Sequence, residues 1–408
     1  MIKNGKSDVG THRLMALRVL AIALGLATSA CAVATHPGGQ PIRQSPVPEA
    51  STQRATAVAR NTAAEPQLAP LSASFISATT GWLLGQSPCG NEMNGCHALL
   101  LRKTSDGGRS WRTLPKPPIP AAGSGLALTD TTAVNGIVFA NARVGWAYGP
   151  GLYITRDGGM TWRRIRIGAP VQGLAYGHGR VLAAVGSCKS PDGRSCRFRV
   201  LASAPQSDSW QRLPGSGLSG WSSPASLLIV GRMAYAYTVS AATLKTVLLT
   251  GPADGSAAWH QIQSPCLRGW SMALASSPGG WLLAGCGSEP GAGEQLKTAY
   301  LSRDGGRTWR RLANPPASGY LADASMTAGG TIFLSGGRMD IYISRDRGRS
   351  WHTSPSLDSA AGMANAGFTL AAVTTGNRTG FAYQSGVYRN QIWITTNRGL
   401  TWTPVTVR

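Results

Sequence analysis

Acidic side chains are scarce in this chain. Its 408 residues hold 17 Asp and Glu against 39 Lys and Arg, a formal charge of +22. Charged residues of both signs make up 14%, where soluble domains carry about 25%. Beyond residue 68 the only Glu are Glu92, Glu289 and Glu294. Chemistry that needs two carboxylates flanking a scissile bond therefore has few candidates: those three with Asp130, Asp192, Asp208, Asp323, Asp340 and Asp358. The six His show no paired spacing, and neither a Cys-x-x-Cys pair nor a Gly-x-Ser-x-Gly elbow occurs. Neither a metal site nor a Ser or Cys nucleophile is indicated, and no cofactor is expected. No apolar run reaches the roughly 20 residues of a membrane helix. Sustained heptads and a three-residue Gly period are both missing, which excludes a coiled coil and a collagen.

What the chain has in excess is Gly, 52 residues, nearly twice the usual share of about 7%. Helices tolerate Gly poorly, whereas turns use its freedom to take positive φ. Thirteen Trp supply the apolar bulk that disordered chains lack. A turn-rich, all-β protein is expected.

The N-terminus reads as an export signal over residues 1–30. Lys3, Lys6, Arg13 and Arg18 form a basic region, and Val19 to Ala30 is uncharged, the length of a signal-peptide core. The stretch ends in Thr28-Ser29-Ala30-Cys31, which resembles a bacterial lipobox, in which the Cys is diacylated and becomes the new N-terminus. It departs from that pattern in having Thr28 where Leu is usual. Cleavage after Ala34 and an uncleaved anchor stay open as alternatives. Residues 31–68 are rich in Pro, Ala, Gln, Ser and Thr and cannot bury enough apolar area to fold. As a flexible tether they span on the order of 30–35 Å.

An internal repeat dominates residues 69–408. Thr104-Ser105-Asp106-Gly107-Gly108-Arg109-Ser110-Trp111 returns, with small changes, at Thr155–Trp162, Ser302–Trp309, Ser344–Trp351 and Thr395–Trp402. Two worn copies lie between the second and third of these. Ser203–Trp210 has Pro205 in the Asp position, and Pro252–Trp259 keeps Asp254 but lacks the Gly three residues before its Trp. The seven boxes thus end at Trp111, Trp162, Trp210, Trp259, Trp309, Trp351 and Trp402, spaced 42 to 51 residues apart. Each unit also carries strand-like runs such as Gly81-Trp82-Leu83-Leu84 before the box and Arg163-Arg164-Ile165 after it. Units of 40–50 residues with about four short strands are propeller blades, so a seven-bladed β-propeller is expected. Within the box, Asp106, Asp157, Asp254, Asp304 and Asp346 are turn formers that accept nearby backbone N–H groups. Asn397 can make the same bonds.

The pattern resembles the Asp-box, or bacterial neuraminidase repeat, of several propeller families, a blade type similar to WD40/YVTN-like repeats. That resemblance implies a box on the hairpin between the third and fourth strands of each blade. Sialidases carry such boxes, but their Phe/Tyr-Arg-Ile-Pro motif is not found here; Pro41-Ile42-Arg43 does not match it. The repeat length and blade number are also similar to those of photosystem II assembly and stability factors, exported propellers that bind membrane-protein partners. This implies a mode of action, non-catalytic binding.

Seven Cys is an odd number. With Cys31 assigned to the signal end, local pairing of Cys89 with Cys96, Cys188 with Cys196 and Cys266 with Cys286 uses the rest, as extracytoplasmic folding permits.

Residues 69–408 retain 32 basic and 14 acidic side chains. Arg156, Arg303 and Arg345 share one box position, and Arg109, Arg307 and Arg349 another. A closed wheel repeats them around its rim. The plain reading is a solvated surface; the functional one is attraction to an anionic polymer or to an acidic envelope or membrane protein. Nucleic acid is not expected at an exported address. The sequence therefore points to a monomeric, lipid-anchored binding scaffold or assembly factor on the outer face of the cytoplasmic membrane or the cell surface, or to a secreted one. A sialidase-like glycoside hydrolase acting on an acidic or wall glycan is the alternative.

Overall fold

The strand runs differ in character because they lie at different depths. The second strand of a blade is sandwiched between its neighbours, and Gly81–Pro88 and Leu282–Gly287 are buried almost throughout. Such strands read as continuous apolar segments and not as alternating ones. The outermost strands are two to four residues long and exposed, among them Arg112–Leu114, Arg163–Ile165, Arg310–Arg311 and His352–Thr353. Short, charged outer strands leave little free edge on which another chain could pair.

The computed structural model describes residues 68–88, 97–121, 133–188, 195–220, 226–239, 243, 245–266, 271–291, 294–336, 341–354, 368–371, 378–385 and 390–408. Seven antiparallel sheets of four strands run in sequence order, and the third gains a fifth strand, Leu218–Gly220. No helix occurs among the described residues. The inner strands are Ala69–Phe75, Gly136–Phe139, Val171–Gly177, Ser226–Val230, Ser271–Ser276, Leu321–Met326 and Phe368–Ala371. Each contacts the next, and the last contacts the first. The protein is a seven-bladed β-propeller.

The ring closes without a strand exchanged between its first and last blades. Ala69–Phe75 is the inner strand of blade one, in register with Gly81–Gln86. The final blade completes itself with Thr403–Thr406. Because every blade comes from one contiguous segment, the ring shuts through side chains. Phe75 of blade one stacks on Phe381 of blade seven, with centroids 3.6 Å apart and planes 8° from parallel. The same joint recurs between blades one and two, where Trp82 stacks on Phe139 at 3.8 Å. Leu68, expected as the last residue of the tether, is buried and part of this closure: its amide donates to the Asn390 side chain, and its carbonyl accepts from the Asn390 amide at 3.1 Å.

Disulfides join Cys188 to Cys196 across a hairpin of blade three, and Cys266 to Cys286 in blade five. Cys31, Cys89 and Cys96 lie outside the described residues.

Candidate functional site: the face that carries the repeated turns

In an antiparallel four-stranded blade, the turns joining strands one to two and three to four open on one face. Every box lies between a third and a fourth strand, so all seven occupy that face. In the first, the Thr104 hydroxyl donates to Asp106 Oδ1 (2.8 Å) and accepts from the Gly108 amide (2.8 Å). The Ser110 amide donates to Oδ1 (3.0 Å) and its hydroxyl to Oδ2 (2.5 Å). The same bonds form around Asp157, Asp304 and Asp346. Asn397 reproduces them, its Nδ2 donating to the Thr401 hydroxyl at 2.8 Å.

The turn is also a joint between blades. Its last Gly is positioned against the blade before: a Cβ at Gly348 would lie 2.4 Å from the Leu312 side chain, and one at Gly108 would lie 2.9 Å from Ile394 of blade seven. Preceding blades donate back, Trp82 Nε1 to Gly158 O (2.9 Å) and Tyr235 Oη to Gly305 O (3.2 Å). The box Trp contribute likewise, Trp162 Nε1 donating to Pro115 O and Trp351 Nε1 to Ala313 O of the preceding blade.

Saturation by these donors keeps the carboxylates ionised. The Ser110 hydroxyl and amide hold Asp106 down to about 2. At Asp157 burial pushes upward, but the Thr161 hydroxyl and amide and the Thr155 hydroxyl outweigh it and bring the group to about 2. Thr308 acts on Asp304, and Ser350 on Asp346, in the same downward sense. A carboxylate depressed below its unfolded value of about 3.9 stabilises the fold fully above that value. The contribution is lost as pH falls through the folded value. The melting temperature should accordingly fall between about pH 4 and pH 2. Asp157→Ala should lower stability by on the order of 1 kcal/mol at pH 7, and Asp157→Asn by much less, since Asn397 shows the turn closing without the charge. Thermal melts across pH check all three; equal losses for Ala and Asn would contradict the hydrogen-bond account.

The worn copies hold by other means. In blade three the Ser203 hydroxyl donates to Ser209 O at 2.7 Å. Arg156 reaches over from blade two to Pro205 O, Gln206 O and Asp208, which also pairs with Arg163. Arg156, read from sequence as part of an anion-attracting rim, is therefore committed to this turn. In blade four the Ser256 amide donates to Asp254 at 3.0 Å, and Trp259 Nε1 donates to Pro252 O.

Arg109, Arg303, Arg307, Arg345 and Arg349 are exposed. Ion pairs among the described residues involve Arg156 and Arg163 alone, both with Asp208, so no carboxylate lies at ion-pair distance from these five. Arg303 is pre-positioned, its guanidinium 4.3 Å from the Trp281 ring centroid. Sequence reading missed a second cation at the same ring, Arg347 at 5.0 Å. Its signal was available: Arg347 fills a slot that holds Gly in four other boxes, and takes φ 61° there.

Among the described residues the remaining carboxylates do not gather. Asp323 is the one acidic residue on an inner strand among the described residues, and it accepts the Ala324 amide. Glu289 and Glu294 lie in a blade-five loop on the opposite face. Glu92, Asp130, Asp192, Asp340 and Asp358 are outside the described residues.

Fold and face together define a propeller whose box face carries exposed arginines. Solved structures similar to this chain are propellers too. YCF48 bound to a D1 peptide is 19% identical with a TM-score of 0.51, covering 84% of this chain and 95% of its own. YCF48 from Cyanidioschyzon merolae is 14% identical with a TM-score of 0.51, covering 82% and 96%. The Dos1 propeller is 11% identical, also at 0.51, covering 83% and 86%. At these identities the likeness is one of fold. No protein-family model matches the sequence, and no curated protein does.

Proposed function

We propose that this Asp-box propeller is an exported, non-catalytic scaffold or assembly factor that binds an acidic envelope or membrane protein through the box face. A signal over residues 1–30, lipidation at Cys31 and a tether over residues 31–68 would hold it at the membrane surface as a monomer. The observation that carries the binding role is the uncompensated set of Arg109, Arg303, Arg307, Arg345 and Arg349 beside carboxylates already saturated by their own turns. Such a face draws in acidic partners and leaves them at high salt. A YCF48 structure with a bound D1 peptide lends the reading support, since that protein has this fold and binds a protein segment.

The test is cross-linking of the full-length protein in intact membranes, at low and high salt, followed by identification of what is attached. One dominant envelope protein, lost at high salt, is expected. Recovery of bound oligosaccharide in its place would overturn the reading and revive the glycoside hydrolase.

A further inference from the structure

The box face contains a cavity of about 500 Å³ where blades three, four and five meet. Ile229, Val230, Met233 and Tyr235 line it from blade four, Ser276 from the inner strand of blade five, and Gly305 from that blade's box. The inner strand Ser226–Val230 is half-buried along its whole length, and its Ile229 and Val230 pack against the cores on either side while presenting apolar surface to the cavity. Two glycines on the wall, Gly231 and Gly280, have positive φ and nothing within 4 Å of where a Cβ would sit. The space beside them is therefore open to solvent and not filled by neighbouring packing.

The rim of this cavity is cationic. Trp281 follows Gly280 directly and carries Arg303 and Arg347 against its ring. Arg307 is two residues from Gly305, and exposed Arg232 lies between Gly231 and Met233. The nearest carboxylate, Asp304, is occupied: Oδ1 accepts from the Ser302 hydroxyl and the Thr308 amide, and Oδ2 accepts the Thr308 hydroxyl at 2.5 Å. Burial raises the Tyr235 phenol, whose hydroxyl donates to Gly305 O at the cavity wall.

We infer that this cavity receives one apolar side chain of an extended acidic peptide segment, whose flanking carboxylates pair with Arg303 and Arg307. The inference rests on the protein-binding reading above and names the partner's chemistry. An apolar floor without charges would suit a lipid or a small hydrophobe, and arginines without a cavity would suit any polyanion. Their juxtaposition selects a chain that alternates apolar and acidic groups. The stacking of Arg303 on Trp281 reduces the freedom lost on binding, as preorganisation does.

Fluorescence anisotropy with the full chain tests this. The probe is a short labelled peptide with one leucine flanked by glutamates, compared with versions carrying serine for the leucine or glutamine for the glutamates. Both changed peptides should bind at least about tenfold more weakly, since burying a leucine and pairing a carboxylate are each large effects. Because these changes are in the peptide, they cannot unfold the protein. On the protein side, Ser276→Phe should fill the cavity and abolish the leucine preference while keeping the melting temperature.

Equal binding of all three peptides would overturn the inference. So would a leucine preference that survives Ser276→Phe. Loss of the cross-linked envelope protein in an Arg303/Arg307/Arg345→Glu variant but not in Ser276→Phe would sink the cavity while leaving the binding face intact. Failure to recover any protein partner would count against the face itself.

Discussion

Phe75→Ala is expected to destabilise the propeller by about 3–5 kcal/mol, the cost of emptying a packed aromatic site. Phe75 does more than fill volume. It stacks on Phe381, meets Trp111 edge-on at 6.4 Å, and covers Gly81, where a Cβ would lie 2.2 Å from its ring. With no strand exchanged between the first and last blades, that stack is central to the shared core that closes the ring, beside the Leu68–Asn390 bonds and the Gly108–Ile394 contact. Removal should therefore loosen blades one and seven first. Urea unfolding measures the loss of stability, and hydrogen exchange locates it. Faster exchange confined to blades one and seven is the expected pattern; uniform acceleration around the ring would contradict closure at this joint.

Cys31→Ala should move most of the protein from the membrane fraction to the soluble one. Each buried methylene of an acyl chain contributes about 0.8 kcal/mol, and two chains are enough for stable anchoring. No helix among the described residues is long and apolar enough to cross a bilayer. Fractionation of cells expressing each form checks this. Full membrane retention of the variant would remove the lipoprotein and favour an uncleaved anchor.

Much of the architecture was legible because a blade is a local object. The Asp–Gly–Trp period marks one hairpin per unit, so counting Trp counted blades, and the worn copies at Trp210 and Trp259 kept the spacing after losing other box residues. The Cys188–Cys196 and Cys266–Cys286 pairs were legible for the same reason, as each joins residues close in sequence, 8 and 20 apart. Ring closure was not. Phe75 and Phe381 are far apart in sequence, and an aromatic stack between distant residues leaves no local pattern. The shared arginine positions were visible, but their fates differ with the blade alongside. Arg156 meets a turn that lacks its Asp and is consumed by it, whereas Arg303 meets Trp281 and stays free to bind. The cavity beside Gly280 was also hidden, because a void is set by what three blades fail to fill.

On the proposed reading the box face, and not the opposite face, holds the partner. The measurement that tests it most directly compares three forms by cross-linking in intact membranes: wild type, Arg303/Arg307/Arg345→Glu on the box face, and Arg166→Glu beside the cleft of about 820 Å³ on the other face. The account predicts that the cross-linked envelope protein is lost in the first variant and kept in the second, with melting temperatures unchanged. Loss in the second variant alone, or equal recovery in all three, would contradict it.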